Sequence, residues 1–158
     1  MSVMHGDPNV LGYLGRALSL ELSAVQLYST QARLVASWGL DEPARRLREE
    51  SREELEHVER IIARMLALGA APNASQLRPV RLGVDLVALL KADQDFELEL
   101  VRLYHDAASY CARAAHHDDR VFFEALLKEE QAHAKEMTEW IQTLEVSIAD
   151  PRRPQRGR

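Results

Sequence analysis

Glu54-Leu55-Glu56-His57 and Glu130-Gln131-Ala132-His133 are the two stretches that decide how this chain folds. They lie 76 positions apart, and the same offset relates Glu21 to Glu97 and Tyr28 to Tyr104. One Glu-x-x-His is common on helices and carries little meaning. Two of them, each preceded at one distance by a lone glutamate, describe a chain whose halves place the same side chains about a pseudo-twofold axis. Residues three apart share a helix face, so each pair offers a carboxylate and an imidazole side by side. The full set is four carboxylates and two imidazoles.

Working outward, apolar residues step by threes and fours along four segments. The first carries Leu11, Leu14, Leu18, Glu21, Val25, Tyr28, Ala32 and Val35. Asp7 is a good N-cap, Pro8 suits the first turn, and Gly39 in Trp38-Gly39-Leu40 stops the helix. The second starts near Asp41-Glu42-Pro43, carries Leu47, Glu54, Ile61 and Leu68 at heptad spacing, and stops at Gly69. Residues 70–82 hold Pro72, Asn73, Ser75 and Pro79 and read as a long connection. The third segment shows Leu86, Leu90, Asp93, Glu97, Leu100, Tyr104, Ala107 and Cys111. The fourth, after a turn near His116-His117-Asp118-Asp119, shows Phe123, Leu126, Glu130, His133, Met137, Trp140 and Leu144. Short turns make antiparallel hairpins of helices 1–2 and 3–4, and the long middle link crosses the bundle. The fold class is therefore all-α: a four-helix bundle of two antiparallel hairpins joined by a long crossover. Residues 1–148 form one domain, and 149–158, with Pro151, Pro154 and four arginines, form a basic flexible tail.

Composition narrows the function. The chain is 46% hydrophobic and 28% charged, as an ordinary globular protein is, and its net charge of −5 disfavours nucleic acid while attracting cations. One cysteine, Cys111, permits no internal disulfide and fits a reducing cytosol. Met1-Ser2-Val3-Met4-His5-Gly6-Asp7 has no basic region followed by an apolar run, so no signal peptide is expected. No stretch is long and apolar enough to span a membrane. A cytoplasmic location follows as the expectation.

Glu21, Glu97, Glu130 and His133 fall on the apolar stripes, and Glu54 and His57 share the inner face of their helix. A charge in a core is costly unless it is paired or binds metal. Four carboxylates together repel and hold protons. Two divalent cations match their charge, and two neutral imidazoles complete the shell. This is the ligand set of a di-iron or di-manganese bundle. Carboxylate with imidazole favours iron, manganese or zinc, and the lack of thiolates argues against a structural zinc or iron–sulfur site. Tyr28 and Tyr104, two turns beyond Glu21 and Glu97, are candidates to donate a hydrogen bond to a ligand carboxylate or to supply an electron. Asp93 is a candidate to orient a histidine, or a paired polar residue.

Over residues 4–145 the chain resembles bacterioferritin, a branch of the ferritin-like superfamily. The resemblance rests on Met4-His5-Gly6-Asp7-Pro8-Asn9-Val10, Glu21-Leu22-Ser23-Ala24 with Tyr28, Ala32-Arg33 with Trp38-Gly39-Leu40, Glu50-Ser51 before Glu54 and His57, Gly69 with Pro72-Asn73, and Glu129-Glu130-Gln131-Ala132-His133. It implies iron storage with oxidation of Fe(II) at two irons per subunit. Glu21 and Glu97 would be terminal ligands, Glu54 and Glu130 bridges, and His57 and His133 would complete one iron each. The family takes haem at its twofold axis through a Met that follows the bridging Glu of the second helix. Leu55 stands there, so no haem is expected from this chain alone. Some members co-assemble haem-binding and ferroxidase subunits, which implies a homo-oligomer or a hetero-oligomer with a haem-binding partner. Asp150-Pro151 and the Arg-rich tail replace the family's fifth helix, which leaves a dimer, 12-mer or 24-mer open. Glu49 and Glu53 replace a cavity-facing His and Asp; they could still handle iron, but two acids on a wet helix face read first as solvated.

The leading function is ferroxidase activity and iron storage, with Fe(II) and O2 or H2O2 as substrates. The same ligands would serve a di-iron peroxidase like the rubrerythrins, or an oxidase, although a single cysteine speaks against the Cys-rich donor domain of the former and would call for an external reductant. A third reading is a DNA-shielding mini-ferritin that holds phosphate through Arg152, Arg153, Arg156 and Arg158. His5, His105, His116 and His117 read as surface or turn residues, and Cys111 as a buried small hydrophobe.

Overall fold

The computed structural model describes residues 6–74 and 76–149. Four helices form, α1 (Pro8–Ser37), α2 (Asp41–Ala67), α3 (Leu86–Arg113) and α4 (His117–Ala149). Local chemistry sets their ends. Asp7 caps α1 by accepting a hydrogen bond from the Asn9 amide at 2.7 Å, with Pro8 in the first turn. Gly39 (φ +79°) and Gly69 (φ +77°) turn the chain after α1 and α2 in the left-handed conformation that a side chain disfavours. Acidic residues open α2 (Asp41, Glu42) and α4 (Asp118, Asp119), where the helix dipole favours negative charge.

Two boundaries differ from expectation. The connection runs on to residue 85, because the Asp85 side chain caps α3 through the Ala88 amide at 2.8 Å. The second hairpin turn is tighter and earlier than expected. Ala115 takes φ +59° without being glycine, and His117, Asp118 and Asp119 already lie in α4. At the far end α4 includes Ala149. Residues 150–158, and with them the expected tail, fall outside the described residues, as do Met1 to His5.

α1 packs along α2 and α3 along α4, as the two hairpins require, and α1 meets α3 across the bundle. The crossover lies over α1 and α3. The Arg78 amide donates to Ser23 Oγ at 3.0 Å, and the Arg78 guanidinium forks onto Glu99 of α3. Leu14, Leu18, Leu47, Ile61, Leu89, Leu90, Leu100, Phe123 and Leu126 are buried along the axis. Each such side chain contributes about 1.5–3 kcal/mol by leaving water. That apolar stock offsets what lies at mid-height: a layer of buried acids, each costing several kcal/mol if left charged and unpaired.

Candidate metal centre

All six expected residues meet in that layer. Glu21, Glu54, Glu97 and Glu130 are fully buried, and His57 and His133 nearly so. α1 supplies Glu21, α2 Glu54 and His57, α3 Glu97, and α4 Glu130 and His133. Donor atoms of Glu21, Glu54, His57 and Glu130 lie within 4.8 Å of one another, and so do those of Glu50, Glu54, Glu97 and His133.

Each imidazole turns Nδ1 inward. His57 Nδ1 is 2.8 Å from Glu130 Oε1, 3.2 Å from Glu21 Oε1 and 3.4 Å from Glu54 Oε2. His133 Nδ1 is 3.0 Å from Glu54 Oε1 and 3.4 Å from Glu130 Oε2. Glu54 and Glu130 therefore each present one oxygen to each histidine, whereas Glu21 belongs to the His57 group and Glu97 to the His133 group. The rings are stacked 5.9 Å apart.

Three observations fit a pair of cations. One oxygen each of Glu21, Glu54, Glu97 and Glu130 is buried with no hydrogen-bond partner. Among the described residues no arginine or lysine forms a salt bridge with any of these four carboxylates. Protons also stand where cations would go. Burial, then the charge of Glu54, pushes Glu21 up to about 8. Burial raises Glu97, and raises Glu130 further. Burial opposes charge on His57 and His133, yet the surrounding carboxylates outweigh it and carry both up to about 10. Glu54 is the exception. Burial disfavours its charge too, but hydrogen bonds from Glu21, His133, His57 and Glu130 hold it below the usual carboxylate range.

The tyrosines cross the bundle. Tyr28 on α1 donates to Glu97 Oε1 on α3, and Tyr104 on α3 donates to Glu21 Oε1 on α1 at 2.6 Å. A tyrosine seven residues beyond a glutamate on one helix is about 10 Å from it along the axis, so its partner must be the glutamate opposite. Both hydroxyls are pushed well above their ordinary range, first by burial and then by the charge of their own partner carboxylate. Each therefore stays a donor and fixes one oxygen of its glutamate. Tyr104→Phe frees Glu21 Oε1, and the expected result is a tenfold or larger loss of metal affinity on the His57 side, in line with other losses of outer hydrogen bonds. Calorimetric Co(II) titration of the metal-free variant checks it.

Several assignments change. Asp93 orients no histidine; it accepts from Gln31 Nε2 at 2.7 Å, one turn from the Tyr28–Glu97 contact. Glu49 is an exposed partner of Arg45 at 2.9 Å, as a solvated acid should be. Glu53, expected to be merely solvated, lies 2.6 Å from His133 Nε2, the outer nitrogen. Glu129 holds the matching place 3.9 Å from His57 Nε2. These two acids obey the 76-residue offset, which is the signal that would have found them. Glu50 has no such twin, yet joins the His133 group. Elsewhere, His116 Nε2 pairs with Asp7 at 2.8 Å, His105 is exposed beside Asp106, and Cys111 is fully buried, its thiol raised by burial to about 11.

Comparison with known proteins agrees with this fold. The family model for the ferritin-like domain matches residues 11–146. Bacterioferritin of Rhodobacter capsulatus is 36% identical over 152 residues, covering 96% of this chain and 91% of its own length. Bacterioferritin of Brucella melitensis is 33% identical over 130 residues, covering 82% of this chain and 81% of its own. A bacterial ferritin of Synechocystis is 31% identical over 132 residues, with 83% and 85% covered. A solved structure of the Rhodobacter capsulatus protein, with a metal-free dinuclear site and a haem iron, superposes with a TM-score of 0.86 over 90% of this chain and 89% of that one. A shared bundle, a shared length and sequence identity along nearly the whole chain lead to one conclusion: this chain belongs to the bacterioferritin family of ferritin-like proteins.

Proposed function

We propose that this protein oxidises Fe(II) at a two-iron site inside each subunit and stores the product as a ferric mineral. The observation that carries the reading is the double reach of Glu54 and Glu130, each of which spans both inward-facing histidine nitrogens. Carboxylates with that reach would bridge the two cations. Glu21 and Glu97, each confined to one group and each held by a tyrosine, are terminal ligands. His57 and His133 complete one iron each.

When two Fe(II) are bound, each gives one electron to dioxygen or hydrogen peroxide. The residues of the chain do the rest. Their four negative charges match the charge of two Fe(II), and the protons that the glutamates and histidines hold without a cation leave as Fe(II) enters. Buried leucines and Phe123 limit access of water. Tyr28, hydrogen-bonded to Glu97, is positioned to give up a further electron.

The assembly is a homo-oligomer, or a mixed one with a haem-binding subunit. Leu55 is 44% exposed and has no sulfur to offer haem iron, so haem binding in a homo-oligomer is not expected. No helix among the described residues is long and apolar enough to cross a membrane, and a cytoplasmic place suits Fe(II) supply and the lone reduced thiol. Residues 150–158 are read as a basic tail, with no DNA role assigned.

Anaerobic addition of Fe(II), then air, to protein of measured native mass tests the proposal. The expected result is fast oxidation of about two Fe(II) per chain, followed by slow loading of iron far beyond that into a soluble core. Fast oxidation with no core would make the protein a di-iron peroxidase or oxidase.

A further inference from the structure

The two halves of the site are not equal, and the inequality lies in residues outside the six. We propose that Glu50 is a fifth metal carboxylate serving one cation position only, so that the Glu50–Glu54–Glu97–His133 position binds its divalent cation more tightly and fills first. This rests on the two-cation reading above.

The pseudo-twofold relation makes the asymmetry measurable residue by residue. The 76-residue offset pairs Glu50 with Leu126, so the His57 side has a hydrophobe where the His133 side has an acid. Glu50 donates an atom to the cluster whose members all lie within 4.8 Å. Its Oε2 lies 3.9 Å from His133 Nδ1, the same inward nitrogen that faces Glu54. That oxygen is buried and has no hydrogen-bond partner. Glu97, fully buried, also leaves an unpartnered Oε2, and Glu54 Oε1 faces the same imidazole at 3.0 Å. Three carboxylates thus converge beside one imidazole, two of them with an open oxygen. A cation is the ligand that such a donor set takes, and oxygen-rich coordination suits Fe(II), Mn(II) or Co(II).

The outer nitrogens add to the difference. Glu53 lies 2.6 Å from His133 Nε2 and forms no other salt bridge among the described residues. On the other side Glu129 is 3.9 Å from His57 Nε2 and is engaged by Arg60 at 2.7 Å. The offset pairs Arg60 with Glu136, so no matching arginine exists to draw Glu53 away. A carboxylate on the outer nitrogen fixes a ligating imidazole and raises its basicity, an effect commonly worth 10–100-fold in metal affinity. Both differences favour the same side.

The test is anaerobic Co(II) titration of the metal-free assembly, followed by d–d absorption and calorimetry. Wild-type protein should take up two Co(II) per chain in two resolved steps. In Glu50→Gln, which keeps size and hydrogen-bonding reach, the first step should weaken by roughly 10–100-fold and merge with the second, with stoichiometry unchanged. His133→Ala should remove the tight step and His57→Ala the weak one. A thermal melt of each metal-free variant confirms folding. A Glu50→Gln titration superimposable on wild type, two equal wild-type steps, or loss of the tight step in His57→Ala would each overturn the proposal. Absence of any internal Co(II) binding would instead overturn the two-cation reading beneath it.

Discussion

Replacing Glu54 or His133 by alanine should slow aerobic Fe(II) oxidation by on the order of a hundredfold or more. Loss of an outer-shell partner alone costs 10–100-fold in many metal sites, and Glu54 is an inner residue that touches both halves. Its Oε1 faces His133 and its Oε2 faces His57. Without it, two Fe(II) lose the carboxylate that holds them at a common distance and balances their charge, so the two electrons that oxygen needs no longer leave from one place. His133→Ala removes the only nitrogen donor of its group and leaves an oxygen-only position. Stopped-flow absorbance of the ferric product measures the effect. Wild-type rates in both variants would mean that oxidation happens elsewhere. Glu49→Ala, which removes an exposed partner of Arg45, provides the comparison with a surface acid.

Cation binding should raise the thermal midpoint by about 10–20 °C, and the rise should grow with pH. The size follows from occupancy: free cation at a hundred times its dissociation constant stabilises by about 2.7 kcal/mol per site, and each kcal/mol moves a domain of this size by roughly 2–4 °C. The pH dependence follows from the protons that now occupy the site. Glu21 rises from an ordinary 4.5 to about 8, and His57 and His133 rise from 6.5 to about 10. Each group has a folded-state value above its unfolded one. Its contribution to stability is complete below the unfolded value and is lost as pH climbs through the folded value. The metal-free bundle therefore weakens from about pH 4.5 to 10, first through Glu21 and then through the histidines. Glu54 runs the other way, but its contribution is already complete above 4.5 and stays flat over that window. Cations displace these protons, so they bind more tightly as pH rises. Melting curves in chelator and in excess Co(II), at pH 6 and pH 8.5, should show the gap widening. A gap independent of pH would mean that the cation is not competing with these protons.

Most of the bundle was legible because its ends carry strong local chemistry. Asp7-Pro8 opens α1, and Gly39 and Gly69 close α1 and α2 in a conformation other residues resist. Where that chemistry is absent the reading slipped. Ala115 makes a left-handed turn that nothing in its type announces, so the start of α4 was placed late. Asp85 caps α3 from within a stretch, Gly83-Val84-Asp85, that gave no helical period to mark the boundary.

The site followed the same rule. The six candidate positions could be placed together because they repeat at one offset, and a repeat of this kind is hard to produce by surface acids alone. Glu53 and Glu129 repeat too, but each has an exposed carboxylate, and an exposed acid beside a buried one looks like ordinary solvated charge until its histidine partner is visible. Glu50 could not be found this way, since its twin is Leu126. The tyrosine contacts needed the fold itself. Tyr28 and Glu97 stand 69 residues apart, and only the crossing of α1 and α3 brings them together.

X-ray anomalous diffraction from crystals loaded with excess Fe(II) under anaerobic conditions bears most directly on the central claim. Two peaks about 3.5–4 Å apart are expected inside each subunit, spanned by Glu54 and Glu130, one against His57 Nδ1 and the other against His133 Nδ1. Iron found only at surface acids such as Glu49, with the four buried glutamates still facing one another and no peak between them, would contradict it.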